Sequence, residues 1–246
     1  GDDGDAWVKR MIITSDKSRF RILGSTMAAL VLGAASAVSG AIAFQRSKVA
    51  TGCRERPRLP NCDKRIILVD MDGTIADFDH RALELLAERT QQPVPSQELQ
   101  HFPLVRNFEE HKDILERIYT EEKFFRSFKP IEGAVEALKE MQAHPALEVF
   151  LCTSPIGRSR FCSQEKTEWV REVFGDDGDA WVKRMIITSD KSLVLGHVLI
   201  DDAPAPNARV HMPTWEHVWF TQHYNAAMTG HRRLDRWENW RELLME

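Results

Sequence analysis

Residues 65–79 read RIILVDMDGTIADFD, and the fold is decided here. The stretch opens on an apolar run, residues 66–69, rich in β-branched side chains and as long as one buried strand. Asp70 and Asp72 follow where that strand should end. A period of two turns both carboxylates to the same side, and Gly73 behind them lets the backbone turn and approach a ligand closely. Two acids so placed repel each other unless they share a cation. This predicts a Mg²⁺ site on Asp70 and Asp72, completed by water and substrate phosphate. A carboxylate can also attack phosphorus, splitting a hard hydrolysis into two displacements, while a second acid protonates the leaving oxygen and later activates water. The competing reading of an isolated Asp-x-Asp is a polar turn after a core strand. The strand before it and the Gly-Thr after it favour chemistry.

The run DMDGT after an apolar strand resembles the first motif of the haloacid dehalogenase superfamily of phosphatases, in which the first Asp, here Asp70, is the nucleophile. That superfamily's other motifs follow in order. Residues 147–153, LEVFLCT, form a second strand pattern ending at Thr153 and Ser154, where the superfamily holds phosphate through a hydroxyl. Lys166 stands at the distance expected of its phosphate-binding lysine. Residues 197–200 lead into Asp201 and Asp202, similar to its metal-holding acidic pair, with Asp201 as the ligand. The runs DMDGTIADF, CTSPI, FCSQEKTEWV, LIDD and PTWEHVWFT together resemble animal 5′(3′)-deoxyribonucleotidases over residues 64–246. Three positions depart from that family. Thr74 stands where it often has an aliphatic residue, Pro103 near an expected substrate-stacking Trp, and Ala203 where Arg is usual.

Working outward, residues 78–129 read as helices, RALELLAER and then NFEEHKDILERIYTEEKFF, broken by PVPSQ. An insert at this point would cap the strand-end acids and exclude water. Its phenylalanines either line a base pocket or form the cap's own core. By resemblance Phe78, Phe102 and Phe125 are expected as base contacts, while Phe124 is equally well read as core. Beyond the cap, helices at 131–141, 164–174 and 236–244 alternate with strands at 147–153, 185–188, 198–200 and 217–220. The expected fold is α/β: a doubly wound parallel sheet with a haloacid dehalogenase-like core and a small helical cap inserted after the first strand. Ligands of such a sheet bind at the strands' carboxyl ends, where Asp70, Thr153 and Asp201 all fall.

The chain has 246 residues, 43% of them hydrophobic, enough for one α/β core and a small cap. Its net charge is −4 and its basic residues are scattered, so a footprint for polymeric nucleic acid is lacking and a nucleotide-sized substrate fits better. Residues 1–18, GDDGDAWVKRMIITSDKS, recur identically at 175–192. Exact identity confined to two copies is unlike a solenoid array and reads as duplicated coding sequence. The second copy supplies a strand the sheet needs; the first has no place waiting in it. Residues 22–44 carry no charged side chain and are long enough to cross a bilayer, with basic, acid-free flanks. A membrane anchor, a cleaved signal peptide and a mitochondrial presequence all fit, with a cytosolic protein as the remaining alternative. Cys53 and Cys62 would form a disulfide loop if exported and are ordinary thiols otherwise, whereas Cys152 and Cys162 read as structural.

The expected activity is Mg²⁺-dependent dephosphorylation of deoxyribonucleoside monophosphates such as dUMP and dTMP through an aspartyl-phosphate, by a phosphatase domain spanning 63–246. Phosphatases of other small phosphate esters, and a membrane-tethered non-catalytic scaffold, are the alternatives. The reading allows membrane contact through 22–44 and pairing as a homodimer.

Overall fold

The computed structural model describes residue 59 and residues 63–93 and 99–245. Residues 1–18, the run 22–44, Cys53 and Cys62 lie outside the described residues. Six strands form one parallel sheet: β1 Arg65–Val69, β2 Leu147–Thr153, β3 Met185–Ile187, β4 Val198–Asp201, β5 Glu216–Phe220 and β6 Arg233–Leu234. Their order is β3-β2-β1-β4-β5-β6. The order reverses between β1 and β4, so the chain leaves a crevice beyond the carboxyl ends of those two strands, the place where open α/β sheets bind ligands. Strands buried on both faces need near-continuous apolar runs, and Ile67, Leu68 and Val69 of β1 and Leu199 and Ile200 of β4 are fully buried.

Among the described residues no helix is long and apolar enough to cross a membrane. β6 was not foreseen: two residues flanked by charge carry no readable period. The C-terminal helix also starts later than its sequence suggests, as α6 Trp240–Met245 after a 3₁₀ turn at Trp237–Asn239.

The cap leaves and rejoins the core through paired backbone. Asp77 N–H donates to the Lys129 carbonyl at 2.9 Å and Ile131 N–H to the Ile75 carbonyl at 2.8 Å. Its first helix, α1 Phe78–Thr90, starts at Asp77, whose carboxylate accepts from the His80 amide, and buries Ala82, Leu83 and Leu86. The long second helix expected over 107–125 is instead a single short helix, α2 Lys112–Ile118, between 3₁₀ turns. The helix ends at Ile118, and Lys123, in the turn that follows, takes a left-handed φ of +70°. The turn is held from the core by α4 Cys162–Val173, whose Glu165 accepts hydrogen bonds from the amides of Lys123 and Phe125. Trp169 on the same helix donates Nε1–H to the Phe128 carbonyl at 2.8 Å. The amides of Lys123 and Phe125 and the carbonyl of Phe128 thus find partners on α4, which ties the end of the cap to that helix. Helices α3 Ala134–Ala143 and α5 Gly178–Val182 complete the crossovers to β2 and β3.

Candidate active site

A cavity of about 560 Å³ opens at the carboxyl ends of β1, β2 and β4, beneath the cap. Asp70 and Asp72 emerge from the end of β1 onto its wall, joined by Thr153 and Ser154 from β2 and Asp201 and Asp202 from β4. The turn after β1 depends on Gly73. At φ +74° a left-handed backbone is cheap only without a Cβ, and a Cβ here would lie 2.6 Å from Asp202 Oδ2.

Two ion-pair groups fill the base of the site. In the first, Lys166 of α4 points its Nζ at Asp72 Oδ2 (2.8 Å), Thr153 Oγ1 (2.8 Å) and the Ser154 carbonyl (3.0 Å). This lysine stands behind Asp72 and Thr153 and does not itself line the cavity. In the second, Lys191 Nζ lies 2.7 Å from Asp70 Oδ1 and 2.6 Å from Asp201 Oδ2. Lys191 does line the cavity, and the sequence reading missed it. Burial works against its ammonium, but Asp201 and Asp70 outweigh burial and hold its pKa above the ordinary lysine value. Its turn is stiff. Asp190 Oδ1 caps the Ser192 amide at 2.9 Å, the Lys191 amide donates to the Asn207 carbonyl at 2.6 Å, and Trp215 Nε1–H donates to the Lys191 carbonyl at 3.2 Å. The available signal was the Asp-Lys-Ser run just past β3, an N-cap that delivers a lysine to the sheet edge where ligands bind. Lys191 falls in the second copy of the duplicated segment, which therefore brings a charge to the site as well as a strand.

Carboxylate oxygens of Asp70, Asp201 and Asp202 come within 4.8 Å of one another, a grouping able to hold a metal ion. Of the expected metal residues, Asp70 and Asp201 fall in this grouping together with Asp202, while the Asp72 carboxylate is turned toward Lys166. Asp202 is held by Thr74 Oγ1–H at 2.9 Å and by the Tyr224 hydroxyl, and Asn225 Nδ2–H donates to the Asp202 carbonyl at 2.8 Å. Thr74, a departure from the resembled family, thus serves to orient an acid.

Four carboxylates, those of Asp70, Asp72, Asp201 and Asp202, meet two ammonium groups. The two uncompensated negative charges match one divalent cation. Burial, then repulsion from Asp201 and Asp70, pushes the Asp202 carboxyl well above its ordinary range, as expected of a cluster that a cation would relieve. Asp72 Oδ1 is buried without a hydrogen-bond partner. Burial also raises the Asp72 carboxyl, against the pull of Lys166, which suits a group that carries a proton and then returns for one.

Phe78 and Phe102 line the cavity as expected, joined by Tyr119 and Tyr224. Phe78 packs against Tyr119 with ring centroids 5.1 Å apart, and Phe102 against Tyr224 at 5.3 Å, both pairs tilted. Phe125 is corrected. It is fully buried and absent from the cavity wall, packed against Phe124 and Phe128 with its ring 5.7 Å from Lys166 Nζ. It backs the lysine and forms cap core together with Phe124. Cys152 and Cys162 are buried free thiols.

The human cytosolic-type 5′(3′)-deoxyribonucleotidase is 36% identical over 188 residues, covering 72% of this chain and 92% of its own. The human mitochondrial 5′(3′)-deoxyribonucleotidase is 35% identical over 188 residues, covering 72% and 81%. A haloacid dehalogenase-like hydrolase from Streptococcus pneumoniae shares the fold with a TM-score of 0.50 at 12% identity, over 74% of this chain and 98% of its own. Residues 64–246 match the family model described as 5′ nucleotidase, deoxy (pyrimidine), cytosolic type C protein. With an acidic pair at the strand end, two buried lysines and this match over most of its length, the chain belongs to that family of 5′-nucleotidases.

Proposed function

We propose that the protein is a Mg²⁺-dependent phosphomonoesterase that dephosphorylates deoxyribonucleoside monophosphates, dUMP and dTMP among them, through an aspartyl-phosphate. The observation that carries this reading is Asp70 and Asp72 on one cavity wall, each against its own buried lysine, beneath aromatic rings contributed by the cap. Asp70 attacks phosphorus, forming an O–P bond as the bond to the nucleoside oxygen breaks. Asp72 gives its proton to that leaving oxygen. It then takes a proton from water, whose oxygen attacks phosphorus, freeing phosphate and the Asp70 carboxylate. Lys191 and Lys166 hold positive charge in place without reorganisation as the phosphoryl oxygens gain charge, and the Thr153 and Ser154 hydroxyls orient them. Mg²⁺ held by Asp70, Asp201 and Asp202 would neutralise phosphoryl oxygens.

Phe78 and Phe102 offer faces to a base. Aromatic walls near the sugar leave little room for a 2′-hydroxyl, which favours deoxy substrates by roughly tenfold to hundredfold. Hydrolysis of dUMP, dTMP, UMP and sugar phosphates, measured side by side with Mg²⁺, tests the assignment. Equal kcat/KM on UMP, or activity confined to sugar phosphates, refutes it. For residues 22–44 we assign a targeting role with the mitochondrion as destination, on their basic, acid-free flanks. A fluorescent protein fused to residues 1–62 that stays dispersed in the cytosol refutes that role.

A further inference from the structure

Five carboxylates line the cavity: Asp70, Asp72, Asp79, Asp201 and Asp202. Four have work there, in ion pairs or in the metal cluster. Asp79 has none. It stands in the first turn of α1, beside Phe78, and among the described residues no hydrogen bond reaches its carboxylate. It is not needed to start the helix, because Asp77 already caps α1. Burial pushes the Asp79 carboxyl up to about 7, with the charges of Asp77 and Asp72 adding to the rise. The acid is felt from both walls. Burial and then Asp79 raise the Tyr119 phenol, and burial, Asp202 and Asp79 raise that of Tyr224.

A half-buried acid on the cavity wall with no donor among the described residues is better placed once a ligand supplies one. The phosphoryl group cannot be that ligand, since it carries like charge and lies with Asp70 and the lysines at the base of the site. What remains is the part of the substrate between the aromatic walls.

We infer that Asp79 is a specificity-determining residue, whose carboxyl group accepts a hydrogen bond from an N–H or O–H donor on the nucleoside portion of the substrate. The inference rests on the nucleotide reading above and extends it to a residue outside the phosphate chemistry. A base imino or amino group and the sugar 3′-hydroxyl are the two sources of such a donor.

The test compares the wild-type full chain with Asp79→Ala and Asp79→Asn on four substrates. These are dTMP, N3-methyl-dTMP, 2′,3′-dideoxythymidine monophosphate and p-nitrophenyl phosphate, which has no donor. The wild type should discriminate by roughly tenfold or more in kcat/KM, mainly through KM, against one of the two analogues. Loss on the N3-methyl compound assigns the base, and loss on the dideoxy compound assigns the sugar. Asp79→Ala should erase that discrimination and lose at least roughly tenfold more on dTMP than on p-nitrophenyl phosphate, while Asp79→Asn, which keeps a carbonyl acceptor, recovers part of it. If both variants lose equally on all four substrates, or discriminate as the wild type does, the role of Asp79 is overturned while the nucleotide reading stands. If the wild type cleaves p-nitrophenyl phosphate but no nucleotide, the nucleotide reading fails and Asp79's role with it.

Discussion

Replacing Lys191 with Met tests whether the ammonium between Asp70 and Asp201 is a working part of the site. Methionine fills most of the lysine stem's volume, so packing changes little and charge is what is removed. The lysine is 3% exposed and its two contacts are 2.7 and 2.6 Å long, so water cannot take its place. Removing one partner from a buried ion pair costs about 3–5 kcal/mol, because the remaining charge is left uncompensated. For a domain of this size each kcal/mol moves Tm by about 2–4 °C, so the metal-free variant should melt roughly 6–20 °C below the parent. A divalent cation bound by the acids supplies the missing charge and binds the native state selectively. Saturating Mg²⁺ should therefore recover half or more of that deficit. Turnover should not recover with it. A fixed positive charge next to the phosphoryl oxygens is worth about 10²–10³ in kcat. The assays are thermal unfolding by circular dichroism with and without Mg²⁺, and steady-state kinetics on dTMP. A metal-free Tm unchanged from the parent, or kcat within about threefold of it, would refute the reasoning.

Asp70→Asn should keep the fold and lose more than about a hundredfold in kcat, since the amide cannot attack phosphorus; phosphate release on dTMP checks this. Gly73→Ala should lower Tm and weaken Mg²⁺ binding, because its Cβ would meet Asp202 Oδ2 at 2.6 Å and its φ of +74° is strained for Ala; unchanged calorimetric Mg²⁺ affinity would count against the cluster. Asp79 has a folded pKa of about 7, above the ordinary carboxyl value, so the native state binds the extra proton and stability falls as pH rises from the ordinary value through about 7. In Asp79→Asn the Tm difference between about pH 5 and about pH 8 should shrink, and an unchanged difference would exclude this contribution. A chain starting at Asp63 should be soluble and fully active, because the site residues lie downstream of it; inactivity beside an active long form would make the earlier residues part of the domain.

What the sequence made legible was whatever strand periodicity fixes. Asp70, Thr153 and Asp201 sit at or just past the ends of three parallel strands, so a register that aligns the strands also gathers the residues. Lys191 was missed because it reaches the site from an irregular turn, whose shape is set by distant partners: the Asn207 carbonyl, Trp215 and the amides of Arg209 and Val210 on Asp190. Which acids would group together could not be chosen by spacing. Whether Asp72 or Asp202 joins the cluster depends on Lys166 and Tyr224, one drawing Asp72 away and the other holding Asp202. Phe125 was misplaced for a similar reason. Consecutive phenylalanines carry no period, and it is Glu165, accepting the Phe125 amide, that fixes where this turn sits.

The residues of α4 also set how the molecule can breathe. Glu165 and Trp169 fasten the end of the cap on the side of β2 and β3, and the intervening Lys166 is bonded to Asp72. Lifting the cap on that flank would break hydrogen bonds to the helix that also carries the partner of Asp72. On the opposite flank, past β5, the rings of Phe102 and Tyr224 meet between cap and core among the described residues, with Phe102 39% exposed. The fastening is therefore unequal across the mouth of the cavity, and parting two rings would cost less than unfastening a buried carboxylate. A ligand entering by the β5 margin would leave the contact between Lys166 and Asp72 undisturbed.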